Sequence, residues 1–201
     1  MDILLYDRRA AQAVPATVLS PMNRAAVEAA AADWEPSIDA AIQRLALAGT
    51  PRSAWPQHLH WSWQRKAKAV EGLAGYQTIG VECEGQIQGM MLLTTKQKRC
   101  KEPSQLGLPL VYVHYLEAAP WNLRELTPDP RFGGVGQVLL VEAMRLSLKR
   151  GWSGRIGLHS LPQAVSFYRD TVGMSDLGLD VVEGLPYFET TPTQASAYLS
   201  R

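Results

Sequence analysis

The segment 131–140 constrains this chain most, because a glycine-rich turn runs directly into an amphipathic stretch that ends near Arg150. Apolar residues in that stretch recur with the spacing of one helix face, and charged residues fall on the opposite stripe. Glycines at 133, 134 and 136 allow a ligand to approach the backbone closely. The first turn of the predicted helix also presents amide N–H groups at the positive end of its dipole. The pattern therefore predicts a phosphate or pyrophosphate site.

The order of the glycines separates the known phosphate-binding motifs. The turn lacks the Gly-Lys-Ser/Thr ending of a Walker A loop, and it does not follow the Gly-x-Gly-x-x-Gly order of a dinucleotide-binding turn. Arg131-x-x-Gly134-x-Gly136 instead resembles the Arg/Gln-x-x-Gly-x-Gly/Ala signature of the GNAT superfamily, the acyl-CoA-dependent N-acyltransferases. The lead-in from Leu126 is also similar to that family's approach to the motif.

Composition and charge exclude several other classes. The chain has 201 residues, 46% of them hydrophobic, which suits one domain with a full core. A formal net charge of +1 gives no reason to expect nucleic acid or an anionic membrane as partner. No apolar run approaches the ~18 residues of a membrane span, and a signal-peptide pattern is absent. Cys83 and Cys100 stand apart, which predicts free thiols in a reducing compartment, by default the cytoplasm.

The N-terminal third predicts strands followed by helices. Residues 3–6 and 14–19 are apolar pieces, either of which is compatible with an edge strand. Ser20 followed by Pro21 predicts a helix start, and the alanine-rich stretch continues to Asp33. Pro36 is then expected to separate this helix from a second one.

From residue 76 the pattern alternates between strand and helix. The first predicted elements are a hairpin of 76–83 and 87–95 and a buried strand 110–118. The glycine-rich turn with its helix follows, and then a strand 155–159. The last predicted elements are a helix opened by a capping box at Ser160 and Gln163, a strand near 187–190, and a second capping box at Thr191 and Gln194. This order resembles the GNAT core over residues 75–190. The resemblance implies an α/β fold whose mixed central sheet is flanked by helices and whose middle strands splay apart. We therefore expect a single domain, 1–201, with 1–74 as an elaboration on the acceptor side.

The same resemblance implies acetyl-CoA as the acyl donor. Backbone amides in the turn would hold its pyrophosphate, namely those of Phe132, Gly133, Gly134, Val135 and Gly136. Arg131 would supply positive charge, and backbone groups at Leu126 would pair with the pantetheine arm. No metal is expected, because no ligand cluster is visible.

Transfer to an amine requires a base, because an ammonium with a pKa near ~10.4 has no lone pair for attack. Glu117 is the candidate: it ends the strand 110–118 among apolar neighbours, and desolvation there would raise its pKa towards that of a useful base. A salt-bridged carboxylate at the strand end is the alternative interpretation. Glu125 and His159 are the alternative bases.

Tyr168 is the candidate acid for the departing thiolate, by resemblance to the tyrosine of the family's last helix. The resembling segment carries Ala164, Tyr168 and Gly173, with one residue more between Tyr168 and Gly173 than the family pattern has. A core tyrosine beside Phe167 is the alternative interpretation.

Aromatic residues near the predicted site are candidates for the acceptor pocket. Trp61 and Trp63 would form one wall, although a loop simply anchored by these rings is the alternative. Trp121, Asn122 and His159 complete the candidate substrate-binding residues.

Together these expectations describe an N-acetyltransferase that acts on an amine of a small molecule or peptide by direct attack in a ternary complex. Two alternatives stay open: a regulatory module that binds acyl-CoA without catalysis, and an interaction domain using the Trp-rich segment 55–63. The sequence leaves room for a homodimer.

Overall fold

The computed structural model describes residues 3–96 and 98–201. Within these ranges the α-helices are α1 Arg24–Leu47, α2 Trp63–Val70, α3 Val135–Lys149 and α4 Pro192–Leu199. The strands of the same ranges are β1 Ile3–Asp7, β2 Gln12–Met22, β3 Tyr76–Cys83, β4 Gln86–Thr94, β5 Val111–Ala118, β6 Phe132–Gly133, β7 Ile156–His159, β8 Ser175–Asp180 and β9 Leu185–Glu189. None of the helices described here is long and apolar enough to cross a membrane.

The residues fall into two compact units. The first contains Met1–Met90 and Glu117–Gly136, and the second contains Met91–Leu116 and Gln137–Arg201. In the first unit the strand order is β6-β1-β2-β3-β4, and β1 is antiparallel to both β2 and β6. Both N-terminal apolar pieces are therefore strands. The predicted hairpin is confirmed as β3 and β4, whose turn places Glu84 and Gly85 at φ values of 53° and 74°.

The second unit carries the strand order β5-β7-β9-β8. Strands β5 and β7 are parallel, whereas β9 is antiparallel to both β7 and β8. A parallel pair beside antiparallel pairs makes the sheet mixed, which confirms the predicted α/β fold class. Strand β8 is missing from the sequence-based prediction, because its exposed and half-buried residues give no apolar alternation.

Helix α1 corrects the predicted break at Pro36, because the helix continues through this proline. A proline inside a helix removes one hydrogen bond and costs about 3 kcal/mol. Burial on both sides of it offsets that cost. The indole of Trp34 is 1% exposed and donates to the Ile87 carbonyl at 3.0 Å, and Ala41 is 2% exposed. Tertiary packing therefore outweighs the local breaking signal.

Two predicted helix starts are also corrected. Strand β2 runs through Ser20 and Pro21, and α1 is capped instead by Asn23, whose side chain accepts the Ala26 amide at 2.8 Å. No capping box forms at Ser160, because its hydroxyl donates to the Leu161 carbonyl. The capping box at Thr191, by contrast, is confirmed at the start of α4.

The extra residue between Tyr168 and Gly173 has a structural explanation. Phe167–Val172 forms a π-helical segment, and Gly173 ends it with φ +79°. A π-turn closes a larger hydrogen-bonded ring than an α-turn and so accommodates one additional residue. The insertion is absorbed within the segment, and the Tyr168 ring stays 7% exposed.

Candidate functional site

The glycine-rich turn lies in the first unit and leads into α3. Phe132 and Gly133 pair with β1, opposite Asp7 and Tyr6. Gly134 then adopts φ +90°, a conformation that side chains with a Cβ rarely adopt, and α3 begins at the next residue. The turn thus ends where the first helical amides lack intrahelical acceptors.

Two backbone amides near the start of the turn are already used by the protein. The Arg131 N–H donates to the Trp121 carbonyl at 3.0 Å, and the Phe132 N–H donates to Asn122 Oδ1 at 2.9 Å. Of the amides expected to hold pyrophosphate, that of Phe132 is therefore engaged. The groups that remain for an anion are those around Gly134 and Gly136, at the start of α3.

Arg131 is held by carboxylates. Its Nη2 lies 2.5 Å from Glu84 Oε2 and 3.5 Å from Asp7 Oδ2, so two acidic groups compensate its charge. The guanidinium also lies 4.5 Å from the centre of the Phe132 ring. Arg131 thus ties the turn to the β3–β4 hairpin and to β1.

A second arginine, Arg8, lies directly against the turn. A Cβ placed on Gly133 would come within 3.2 Å of Arg8 Nη2, which is tighter than an ordinary contact, so glycine favours this close approach of the guanidinium. Arg8 is exposed, and no hydrogen bond or ion pair within the described residues engages its guanidinium. Sequence reasoning missed Arg8, because its proximity depends on the pairing of β1 with β6.

The side chain of Glu117 lies at the end of β5 and is 7% exposed. The Trp63 indole N–H donates to its Oε2 at 2.6 Å, and His58 Nε2 lies 3.9 Å from its Oε1. Burial raises the pKa of Glu117 to about 7, while the Trp63 hydrogen bond and the charge of Lys66 act in the opposite direction. The carboxyl thus has the raised pKa expected from its apolar surroundings.

Helix α2 supplies the surroundings of Glu117. Trp63 is 3% exposed and meets the Trp34 ring edge-on at a centroid distance of 6.5 Å. Lys66 lies over the half-buried Trp61 ring at 4.7 Å. Burial lowers the pKa of Lys66 to about 8, and attraction to Glu117 partly opposes the change. The two tryptophans therefore contact the two titratable groups of the cluster, and their place in the wall of an acceptor pocket stays a prediction.

Trp121 and Asn122 meet at Gln88, a fully buried residue of β4. The Trp121 indole donates to Gln88 Oε1 at 2.8 Å, and Asn122 Nδ2 donates to the same oxygen at 3.0 Å. Since Asn122 also accepts the Phe132 amide, this network supports the glycine-rich turn. A glutamine within the apolar run of β4 was the available sequence signal for Gln88.

The backbone of Leu126 is engaged within the first unit. Its N–H donates to the Leu123 carbonyl at 3.0 Å, and its carbonyl accepts a hydrogen bond from Arg44. Neither group is open to a pantetheine arm in this conformation, and the pairing of Leu126 with that arm stays a prediction.

In the second unit, His159 has both ring nitrogens occupied. Its Nδ1 lies 2.6 Å from the Tyr112 hydroxyl, and its Nε2 lies 3.1 Å from Asp180 Oδ2. Lys101 binds the same carboxylate oxygen at 2.6 Å. The His159 side chain thus orders its neighbours, and a role as base or as acceptor-binding residue would require it to release one of these partners.

Tyr168, also in the second unit, has a buried ring beside Phe167 and Phe188, at centroid distances of 5.2 and 5.9 Å. Burial raises the pKa of its phenol, so the hydroxyl keeps its proton at any working pH. No hydrogen bond within the described ranges involves this hydroxyl. The described residues also contain no group of three or more His, Cys, Asp or Glu side chains that could hold a metal.

Comparison with known proteins gives structural matches only. No protein-family model matches the chain, and no curated protein matches its sequence. A PaiA N-acetyltransferase from Thermoplasma acidophilum, solved with coenzyme A, is 14% identical, with a TM-score of 0.52 over 89% of this chain and 99% of its own. An aminoglycoside 6′-acetyltransferase type Ii is also 14% identical, with a TM-score of 0.52 over 88% of this chain and 97% of its own.

A GNAT-family acetyltransferase from Listeria monocytogenes gives a similar result, with 14% identity and a TM-score of 0.51 over 88% of this chain and 95% of its own. At identities this low, the matches show a shared fold but not a shared activity. The chain has the fold of the GNAT acetyltransferases.

Proposed function

We propose that the protein transfers an acetyl group from acetyl-CoA to an amine of a small molecule or peptide, by direct attack in a ternary complex. The observation that carries this proposal is the buried carboxyl of Glu117, whose raised pKa suits a general base. The fold and the glycine-rich turn support the choice of donor.

Glu117 takes the proton that the acceptor ammonium must lose. Raising its pKa from 4.5 to about 7 makes the carboxylate a stronger base by about 3 kcal/mol. The Trp63 hydrogen bond fixes one carboxylate oxygen, which leaves Oε1 to receive the proton. The nearby His58 is kept neutral by burial, which lowers its pKa.

The turn fits a pyrophosphate. Gly134 brings the chain into α3 without a Cβ, and Arg8 supplies a positive charge beside Gly133 that no described carboxylate compensates. A bound acetyl-CoA supplies the thioester, whose carbon–sulfur bond breaks as the carbon–nitrogen bond to the acceptor forms. The Tyr168 hydroxyl would donate a hydrogen bond to the departing sulfur, which leaves as a thiol by taking the further N–H proton that the amine loses on becoming an amide.

The alternative functions gain less support. Trp63 is buried, and Trp55 and Trp61 are half-buried, so the Trp-rich segment offers little ring surface to a protein partner. A regulatory module that binds acyl-CoA without turnover has no need for a buried carboxyl with a raised pKa. We also propose a reducing location such as the cytoplasm, because both cysteines are buried free thiols.

The direct test combines binding and turnover. Acetyl-CoA should raise the melting temperature, since a ligand at 100 times its dissociation constant adds about 2.7 kcal/mol. Release of free thiol should then follow the addition of a suitable amine from a panel of amino acids, peptides and simple amines. Stabilisation without thiol release for any amine would favour the regulatory module, and absence of both would refute the proposal.

The Arg8→Gln variant is expected to bind acetyl-CoA about 10-fold more weakly, because it removes one charge-assisted contact to a phosphate. Its affinity should also depend less steeply on salt, since one positive charge at the site is lost. Titration calorimetry at two salt concentrations measures both effects.

Arg9→Gln is the matched control for Arg8. Arg9 is its neighbour in sequence, but its guanidinium is exposed and paired with Asp129 at 3.0 Å. Loss of affinity of equal size in both variants would mean that general surface charge, rather than contact at Gly133, attracts the cofactor.

The Tyr168→Phe variant is expected to lower kcat about 10-fold, the effect of one hydrogen bond to a charge developing on sulfur. Proton transfer from a phenol with a raised pKa is less favourable, which limits the loss. Affinity for acetyl-CoA and melting temperature should change little, because the ring and its packing are retained. Unchanged kcat together with a lower melting temperature would identify Tyr168 as a core residue only.

A further inference from the structure

A cleft of about 310 Å³, lined by apolar and charged side chains, lies in the first unit, between α1 and the loop that precedes the glycine-rich turn. Ala41 and Leu126, which are 2% and 3% exposed, give it an apolar floor. Arg44, Arg124 and Glu125 add two positive charges and one negative charge to its lining. The cleft therefore combines apolar contact with opposite charges.

The two arginines make part of the cleft suitable for an anion. Arg44 donates to the Leu126 carbonyl, which holds its guanidinium in the wall and fixes the loop to α1. Arg124 is exposed, and its guanidinium takes part in no hydrogen bond or ion pair among the residues that the structure describes. Guanidinium groups bind carboxylates and phosphates through paired hydrogen bonds.

Glu125 gives the cleft a site for a cation and connects it to the candidate base. The charge of Glu125 acts on the His58 imidazole, where it opposes the lowering of the pKa by burial. His58 Nε2 in turn lies 3.9 Å from Glu117 Oε1. His58, beside Glu117, thus lies within electrostatic range of the carboxylate that would attract an ammonium.

We propose that this cleft binds the acceptor, and that the acceptor carries an anionic group, a carboxylate or a phosphate, in addition to its amine. The inference rests on the proposed acetyl transfer and names its substrate class: zwitterionic amines such as amino acids or phosphorylated amines. A polyamine would place a further cation beside the two guanidinium groups, where the charges repel.

Matched pairs of acceptors test the proposal. Lysine is compared with cadaverine, tyrosine with tyramine, and phosphoethanolamine with ethanolamine, so that each pair differs in its anionic group. The anionic member of at least one pair should have a kcat/KM about 10-fold higher. Arg124→Gln should remove that advantage, while kcat/KM for the member that lacks the anionic group should not fall by more than about 2-fold. Arg150→Gln, which removes an exposed charge at the end of the α3 segment, should change neither value.

Four results would overturn the inference. The first is equal or better turnover of the members that lack the anionic group, and the second is an equal loss for both members in Arg124→Gln. The third is weaker binding of CoA, but not of dephospho-CoA, to Arg124→Gln, which would assign the arginine to the cofactor's 3′-phosphate. If no amine is acetylated, the proposed acetyl transfer is refuted, and binding calorimetry with the same pairs then tests the cleft without turnover. The fourth result that would overturn the inference is calorimetry in which the anionic members bind no more tightly than the others.

Discussion

The Glu117→Gln variant is expected to lose about 100-fold or more in kcat/KM near pH 7.5, because it removes the base while it keeps an oxygen to accept the Trp63 hydrogen bond. In the wild type, kcat/KM should rise with pH through about 7 as the Glu117 carboxyl loses its proton. The variant should lack that inflection. Its deficit should shrink towards pH 10, where the acceptor is increasingly present as free amine.

The alternative bases predict different profiles for the same measurement. If Glu125 abstracts the proton instead, Glu117→Gln would lose only a few-fold in rate. Glu125→Gln is the companion variant. It should alter KM for an amine more than kcat, whereas Glu117→Gln should mainly lower kcat. A loss in the Glu117→Gln variant that does not vary with pH would count against general-base catalysis by this residue.

Stability provides an independent check on the environment of Glu117. The folded protein holds this proton up to about pH 7, whereas the unfolded chain releases it near 4.5. The folded state therefore binds more protons in this window, and the contribution of Glu117 to the free energy of unfolding falls as pH rises. The decrease amounts to at most about 3 kcal/mol. In urea titrations at pH 4.5 and 7.5, Glu117→Gln should lack this component.

The parts of the fold that the sequence predicts correctly depend on short-range signals. Glu84-Gly85 specifies a tight turn, Thr191 with Gln194 forms a local capping box, and the glycine-rich turn passes into a helix of the expected period. In each case the decisive contacts lie within a few residues, so a window of sequence contains the necessary information.

The wrong predictions arise where distant contacts decide. Pro36 carries a strong local signal for a break, yet buried Trp34 and its hydrogen bond to β4 keep α1 continuous. Ser160 has the residue spacing of a capping box, but the chain that follows forms a 3₁₀ turn and then a π-helical segment. Neither outcome can be obtained without the residues packed against these segments.

The residues of the candidate site also divide into those that local sequence signals identify and those that only distant contacts bring into place. Glu117 could be selected because a carboxyl among apolar residues at a strand end is a local signal, although Trp63 and His58, which lie against it, come from a distant part of the chain. Arg8 and Gln88 could not be selected, since they reach the glycine-rich turn through strand pairing and side-chain hydrogen bonds. Arg131 matches the family signature by spacing alone, and its pairing with Glu84 depends on the hairpin.

The Gly134→Asp variant is expected to abolish stabilisation by acetyl-CoA, which amounts to about 2.7 kcal/mol at 100 times the dissociation constant. The added carboxylate would repel a pyrophosphate at the turn, and its Cβ would occupy the space through which the phosphate approaches. The substitution should also destabilise the folded state, because a φ of +90° is unfavourable for a residue with a Cβ. Melting curves with and without acetyl-CoA measure both effects.

Two control variants separate these contributions. Gly107→Asp places the same side chain at a φ of +77° with no atom within 4 Å of its Cβ, so it should lower the melting temperature but leave the acetyl-CoA shift intact. Gly134→Ala keeps the backbone strain without the charge and should retain part of the shift. A folded Gly134→Asp protein that shows the full wild-type shift would place the phosphate site elsewhere in the chain. A shift lost equally in Gly107→Asp would attribute the effect to strain rather than to the turn.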